Sequence, residues 1–184
     1  KFKVNISYAQ ENINNPVDFD PTPLSTSINV FPLQYFPVLT ADEKTLFFTR
    51  RLGTSFYDDE DIYVSEKDDA GNWSAPKPIS QNINSQFNEG TCTISADGQI
   101  LILTTCEGRM TYGSCDLYVS YKDGDDWSVP KNLGPEVNSR SWESQPSLSA
   151  DGRRLYFVSD RAGGQGNRDI WVTEKDEKGE WKEP

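Results

Sequence analysis

The sequence predicts an all-β fold, a β-propeller built from four-stranded antiparallel blades. Three observations carry that prediction. The chain repeats itself at intervals of 54 or 55 residues, each repeat contains segments in which apolar and polar residues alternate, and aromatic residues reach 12% in a chain that is only 35% hydrophobic. That composition suits many short strands, each burying one face under large rings. Four antiparallel strands in a repeat of about 50 residues is the pattern of a propeller blade.

The elements follow in order. Residues 1–15 form a helical or linker segment: Phe2, Ile6, Ala9 and Ile13 share a helix face, Phe2, Val4, Ile6 and Tyr8 fit a strand equally well, and Asn15-Pro16 ends either one. "VDFDPTPLSTSIN" matches the end of a repeat, so residues 16–33 are expected to complete a neighbouring blade. Three repeats follow, at approximately 34–88, 89–142 and 143–184. "TADEKTLFFTR", "SADGQILILTT" and "SADGRRLYFVS" align without gaps, which puts Asp42, Asp97 and Asp151 at 55- and 54-residue intervals.

Within a repeat, a short strand a ("QPSLS") leads through a two-residue Asp-Gly or Asp-Glu turn to strand b ("RLYFVS"). Asp-Gly favours a hairpin because both residues tolerate positive φ. A longer loop leads to strand c ("DIWVTE"), where Ile62, Val64, Leu117, Val119, Ile170 and Val172 fall on one face. A second turn leads to strand d, which carries Trp73, Trp127 or Trp181. Those tryptophans are expected to pack between blades. Asp61, Asp116 and Asp169 open strand c in every repeat, and such recurrence predicts a structural role, bonding backbone amides. A blade needs a neighbour on both sides, and propellers have about 4–8 blades. Three repeats and part of a fourth are therefore expected to belong to a longer protein, with the remaining blades C-terminal to Pro184.

Charge and residue types exclude several functions. A net charge of −11 repels phosphate backbones and anionic membrane surfaces, so neither nucleic acid nor direct membrane insertion is expected. The chain has no histidine and no Cys-x-x-Cys spacing, which excludes a zinc site and a histidine-dependent triad. Acidic pairs such as Asp58/Asp59 and Asp68/Asp69 lie in turns, where aspartate serves the backbone, and no metal or other cofactor is expected. No carboxylate pair is marked out for glycoside hydrolysis, and no enzyme activity is expected.

Variation is confined to one side. The a–b and c–d turns are short and regular, whereas the b–c loops, "RRLGTSFYDDE", "CEGRMTYGSC" and "DRAGGQGNR", differ in every repeat. The d–a links share their side and offer Phe31, Phe87 and Trp142 as exposed aromatics. Variable loops on a rigid scaffold are where binding usually resides. Candidate binding residues are Phe87, Glu89, Arg109, Tyr112, Trp142, Glu143 and Arg161. Glu89 and Glu143 align with Gln34 at the start of strand a, where they either line the mouth of the central channel or sit on a solvated rim. Each loop neck carries a complementary pair: Arg51 with Glu60, Cys106 with Cys115, Asp160 with Arg168. A Cys106–Cys115 disulfide is expected to close the second loop, which implies an oxidising compartment. Cys92, in strand a, is expected to be a buried free thiol.

At "SADGRRLYFVSDRAGGQGNRDIWV" the repeat resembles the WD40-like propeller repeat of TolB-type proteins, in which Ser-x-Asp-Gly-x-x-Leu-x-Phe-x-Ser-x-Arg precedes Asp-Ile-Trp/Tyr. Residues 149–161 and 169–171 match it, and the unit at 95–106 departs from it at Leu103 and lacks the arginine. Residues 9–184 are also similar to periplasmic OmpA-family lipoproteins of Bacteroidetes, including those of the type IX secretion system. Those proteins carry TPR repeats, this propeller, a carboxypeptidase-regulatory-like domain and a peptidoglycan-binding OmpA-like domain. The resemblance implies a helix over residues 1–15, a periplasmic location at the outer membrane, envelope or secretion-system proteins as partners, and peptidoglycan contact only through a domain outside this chain. The expected function is a non-catalytic interaction module that docks partners through the b–c loop face. The alternative is a propeller that takes a glycan or peptide at the channel mouth.

Overall fold

The structure is a computed structural model that describes residues 10–11, 13–15, 20–55, 58–107 and 110–184. Residues 10, 11, 13 and 14 are helical, and the rest of the expected N-terminal helix lies outside the described residues. The strands that follow residue 33 pair antiparallel. Blade 1 comprises β1 (Gln34–Leu39), β2 (Thr45–Arg51), β3 (Glu60–Glu66) and β4 (Lys77–Pro78), hydrogen-bonded in that order. Blade 2 comprises β5 (Asn88–Ile94), β6 (Ile100–Cys106), β7 (Cys115–Asp123), β8 (Asp126–Trp127) and β9 (Lys131–Asn132), with β8 and β9 both paired to β7. Blade 3 comprises β10 (Glu143–Leu148), β11 (Arg154–Ser159) and β12 (Asp169–Glu174).

The a–b turn differs from the two-residue hairpin expected. Ser95 and Ile100 close the ladder around four residues, Gly98 N–H donates to Ser95 O, and only Gly98 takes a positive φ, 71°. Glu43 and Gly152 occupy the same place with φ of 58° and 68°. This is a type I turn closed by one left-handed residue. The aspartate stays on the negative-φ side and caps the turn: Asp97 Oδ1 accepts from Ser95 Oγ at 2.5 Å and from Gln99 N–H at 3.1 Å. Thr40–Asp42 and Ser149–Asp151 repeat the bond at 2.6 Å.

Strand d is also shorter than expected. Its tryptophan makes only a bridge or a two-residue pair, Lys67 to Trp73, Lys122 to Trp127 and Lys175 to Trp181. The ladder resumes at β4 and β9, beyond Pro76 and Pro130. Proline has no N–H to donate, so the outermost strand breaks there. A side chain spans part of the gap, because Ser65 Oγ and Ser120 Oγ donate to the carbonyls of Ser74 and Ser128 at 2.7 and 2.6 Å. Asn84 and Asn138 then act as an extra rung. Asn138 Oδ1 accepts from Leu117 N–H at 2.8 Å and its Nδ2 donates to Leu117 O at 2.9 Å, and Asn84 does the same with Ile62.

The core lies between blades. Phe47, Ile62, Val64 and Ile83 leave one face of blade 1 and meet Cys92, Leu101, Leu103, Tyr118 and Trp127 of blade 2. Ile102, Leu117 and Val137 of blade 2 meet Leu155 and Phe157 of blade 3, with Trp171 and Trp181 packed alongside. Ile28 and Phe31 cover the other face of blade 1 at Leu46, Phe48 and Tyr63, beside Trp73. All three strand-d tryptophans therefore pack between layers. Blade 3 presents the same outward face as blades 1 and 2, yet Ile170 is 78% exposed where Ile62 and Leu117 are 0% exposed. Burying such a side chain is worth roughly 1.5–3 kcal/mol, so this face is built for a covering layer.

Candidate functional site

The loop face is assembled from the necks upward. In blade 1, Arg51 and Glu60 are ladder partners, and Arg51 Nη2 lies 2.6 Å from Glu60 Oε1. Tyr35 also donates to Glu60 Oε1. Burial, with the Glu60 hydrogen bond and charge behind it, pushes the Tyr35 phenol up to about 12. In blade 2, Cys106 and Cys115 occupy the same ladder position and form a disulfide with S–S 2.01 Å.

Blade 3 departs from the expected ion pair. Its ladder ends one step earlier, at Ser159 and Asp169, and both neck residues turn to Trp142. Asp160 Oδ1 accepts from Trp142 N–H at 2.8 Å, and the Arg168 guanidinium lies over the Trp142 ring at 4.1 Å. The stack gives the charge an aromatic face in place of a carboxylate. The link aromatics are likewise not free. Arg50 lies 4.1 Å over Phe31, and Phe31, Phe87 and Trp142 are all half-buried.

Blade 2's loop is tied to the same tryptophan. Ser114 N–H donates to Ser141 O at 3.1 Å, and Cys115 bridges Trp142. Gly113 lets the chains approach, since a Cβ there would lie 1.7 Å from Ser141 O. The strand-c aspartates hold the loops from inside. Asp116 accepts from the amides of Tyr112 and Gly113 at 2.7 and 3.1 Å, and from Asn132 Nδ2 at 2.7 Å. Asp169 Oδ2 accepts from the amides of Gln165 and Gly166, both at 3.0 Å. Asp61 differs: among the described residues its Oδ1 has no partner, and burial, reinforced by Asp59, pushes its carboxyl up to about 6 against the pull of Arg50.

Glu89 and Glu143 are neither channel-mouth ligands nor a solvated rim, and this corrects both expectations. Each is 0% exposed. Glu143 accepts from Ser139 N–H (2.9 Å), Ser139 Oγ (2.6 Å), Ser159 Oγ (2.8 Å) and Arg161 Nη2 (3.2 Å). Glu89 accepts from Ser85 N–H, Ser85 Oγ and Thr105 Oγ1 at 2.8, 2.8 and 3.2 Å. Blade 1 achieves the same with an amide, as Gln34 Oε1 accepts from Phe31 N–H at 2.9 Å and its Nε2 donates to Ile28 O at 3.2 Å. In blade 3, Arg161 Nη2 takes over the carbonyl bond, reaching Val137 O at 2.5 Å. These residues clamp the d–a link, and Arg161 is occupied with that work. Arg109 lies outside the described residues.

The exposed surface of the loop face carries apolar tips on the first two loops among polar residues such as Thr54, Glu107, Gln165 and Asn167. Met110 is 92% exposed, Tyr112 49% and Leu52 46%. Among the described candidate binding residues, Tyr112 is the one that stands in solvent here. Met110 carries no signal in the repeat because its loop tip has no counterpart in other blades, and Leu52 carries none because its counterparts, Glu107 and Arg161, share no chemistry with it. On the inner side, Phe36 and Gln145 take φ of 53° and 56° at bulges in β1 and β10. They line a shallow cavity of about 210 Å³ with Pro37, Thr91, Cys92 and Pro146. Cys92 is buried, and burial pushes its thiol up to about 12.

Among solved structures, a TolB-type protein of Agrobacterium tumefaciens superposes with a TM-score of 0.51 at 16% identity, over 81% of this chain and 47% of that one. The chain has the β-propeller fold. A glycoside hydrolase aligns with a TM-score of 0.54 at 11% identity, over 82% of this chain and 54% of its own. TolB of Acinetobacter baumannii aligns at 20% identity with a TM-score of 0.49, over 80% and 31%. This chain thus spans between about a third and about a half of the proteins it matches. At these identities the likeness is one of fold. No protein-family profile matches the chain, and no curated protein does. Among the described residues, no helix is long and apolar enough to cross a membrane, and no cluster of three potential metal ligands occurs.

Proposed function

We propose that this chain is a non-catalytic propeller module that docks partner proteins of a bacterial cell envelope through its b–c loop face. One observation carries the reading: apart from Asp61, the carboxylates beneath that face are committed to the scaffold, while apolar tips of the first two loops stand in solvent. Glu89 and Glu143 are enclosed, and Asp116 and Asp169 accept loop amides. Above them Met110, Tyr112 and Leu52 are exposed on necks braced by an ion pair, a disulfide and a cation–aromatic stack. Rigid necks lower the entropy cost of docking, and exposed apolar and aromatic tips are typical interface anchors. The disulfide supports an oxidising compartment such as the periplasm. The sequence resemblance to outer-membrane OmpA-family lipoproteins supports envelope or secretion-system components as partners.

The test replaces the tips 52–59, 107–112 and 162–167 with Gly-Ser linkers, which keeps every neck, Gly113 and the Arg161 clamp. Association with envelope partners, measured by co-purification after cross-linking in cells, is expected to fall at least about tenfold. Unchanged association, or turnover of a lactone or glycoside by the intact chain, would overturn the reading.

A further inference from the structure

The two blade interfaces use equivalent positions, with one difference at the turn-side end, opposite the loop face. Where blades 2 and 3 meet, Ile100 packs against the core and Tyr121 stands half-exposed on the same face of its strand; at the equivalent positions of blade 1 stand Thr45 and Glu66. The exchange removes apolar bulk from the interface. A cleft of about 270 Å³ opens at that place, with Thr45 and Glu66 in its wall and Phe47, Val64, Ile79 and Trp127 beneath. At roughly 30 Å³ per water, it holds one long side chain and little more. It is smaller than the sites that enclose drug-sized ligands, about 300–1,000 Å³.

The rim determines which side chain fits. Its two lysines are engaged: Lys77 Nζ lies 3.8 Å from Glu66 Oε1, and Lys122 Nζ lies 5.0 Å over the Trp127 ring and donates to Asp125 O at 3.4 Å. Asp42 and Asp97 sit at the tips of the two a–b turns that flank the cleft. The hydroxyls of Thr40 and Ser95, then the amides of Lys44 and Gln99, hold their carboxyls below the usual range, so both are anions at neutral pH. Asp125 adds a third carboxylate to the rim, in a chain of net charge −11. The result is an apolar floor under an electronegative mouth. We propose that this cleft binds a lysine or arginine side chain of a partner polypeptide, its stem on Phe47 and Val64 and its charge toward Asp42 and Asp97. Basic side chains bind in this way, with the stem on apolar surface and the head among polar groups. The site is on the face opposite the loop tips and does not depend on the docking proposed there.

The experiment titrates the full chain with acetyl-Leu-Arg-amide and follows backbone amide shifts by NMR. Saturable shifts are expected at Thr45 and Gly98, weaker at higher salt. Asp42→Asn with Asp97→Asn is expected to weaken binding at least about tenfold. Thr45→Ile with Glu66→Tyr writes the second interface into the first and is expected to abolish binding without loss of fold. If the aspartate variant unfolds, the filled variant still decides the matter. Acetyl-Leu-Glu-amide and N-acetylglucosamine are expected to leave the cleft amides unmoved. The proposal is overturned if the arginine peptide moves no cleft amide up to about 10 mM, if the filled variant binds as well as the parent, or if either comparison ligand binds equally.

Discussion

Glu143→Gln and Arg161→Leu, made singly and together, test whether the buried link clamp has two interchangeable chemistries. In blade 3 the carboxylate collects the Ser139 amide, two hydroxyls and Arg161, and Arg161 in turn holds Val137 O. In blade 1 a single amide does both jobs, Gln34 holding Phe31 N–H and Ile28 O, and Leu52 stands at the position of Arg161. Removing one partner of a buried ion pair costs about 3–5 kcal/mol, because the other charge stays buried. Glu143→Gln alone should therefore cost about 3 kcal/mol, since Arg161, 13% exposed, loses its counter-charge. Arg161→Leu alone should cost a similar amount, because Glu143 keeps its other donors but Val137 O is left unsatisfied.

The double variant restores the blade 1 arrangement. The new side-chain amide at position 143 can reach for Val137 O. The leucine at position 161 keeps apolar contact with Phe157 and Trp171, over which Arg161 now lies at 5.0 and 5.3 Å. The double variant should cost only about 1–2 kcal/mol, which leaves a coupling energy on the order of 4 kcal/mol. Urea unfolding at constant m-value reads each cost. Additivity within about 0.5 kcal/mol, or a single-variant cost below about 1 kcal/mol, would refute the reasoning.

The remaining predictions concern single features. Cys106→Ser with Cys115→Ser should cost about 2–3 kcal/mol, as expected for a short closed loop, and a cost near zero in urea unfolding would count against the disulfide as a brace. Gly113→Ala should be at least that damaging, because its Cβ would meet the Ser141 carbonyl, which cannot swing away like a side chain. Asp61 has a folded pKa of about 6, above its unfolded value of 3.8. Its contribution to stability is therefore full below pH 4, is lost as the pH rises through 6, and amounts to about 1 kcal/mol after solvent screening. Asp61→Asn should remove that pH dependence in denaturation curves. Cys92, with its thiol pushed up to about 12, should resist a thiol-reactive dye in the folded protein and react once urea unfolds it.

Repetition made the frame legible. A position that recurs three times with one residue type reveals its job, and Asp116, Asp169 and the strand-d tryptophans do what that recurrence implied. The Cys106–Cys115 disulfide was legible for the converse reason: one position held different residues in each blade but always in pairs. The same reasoning failed at Asp160 and Arg168, since pairing charges by alignment ignores a competing aromatic, and Trp142 lies within reach of both. It also misjudged Glu89 and Glu143. Glutamate is rarely buried, so a rim or channel mouth was the natural expectation. Only the fold shows that Ser85 and Ser139, four residues upstream, curl back to satisfy them. The short strand d follows from Pro76 and Pro130, which have no N–H to donate and interrupt the ladder. Loop tips such as Met110 have no counterpart in the other blades, so their exposure appears only in the structure.

The central claim is that partners dock on the loop tips, and a photo-cross-linking residue at position 110 tests it most directly. Met110 is 92% exposed, so the replacement disturbs no packing. Placed there in cells, the cross-linker is expected to capture a discrete envelope protein, and the same residue at Lys178, in the c–d turn of blade 3 on the opposite side, is expected to leave that protein uncaptured. Equal capture of that protein from both positions, or none from position 110 while Lys178 yields it, would contradict the account.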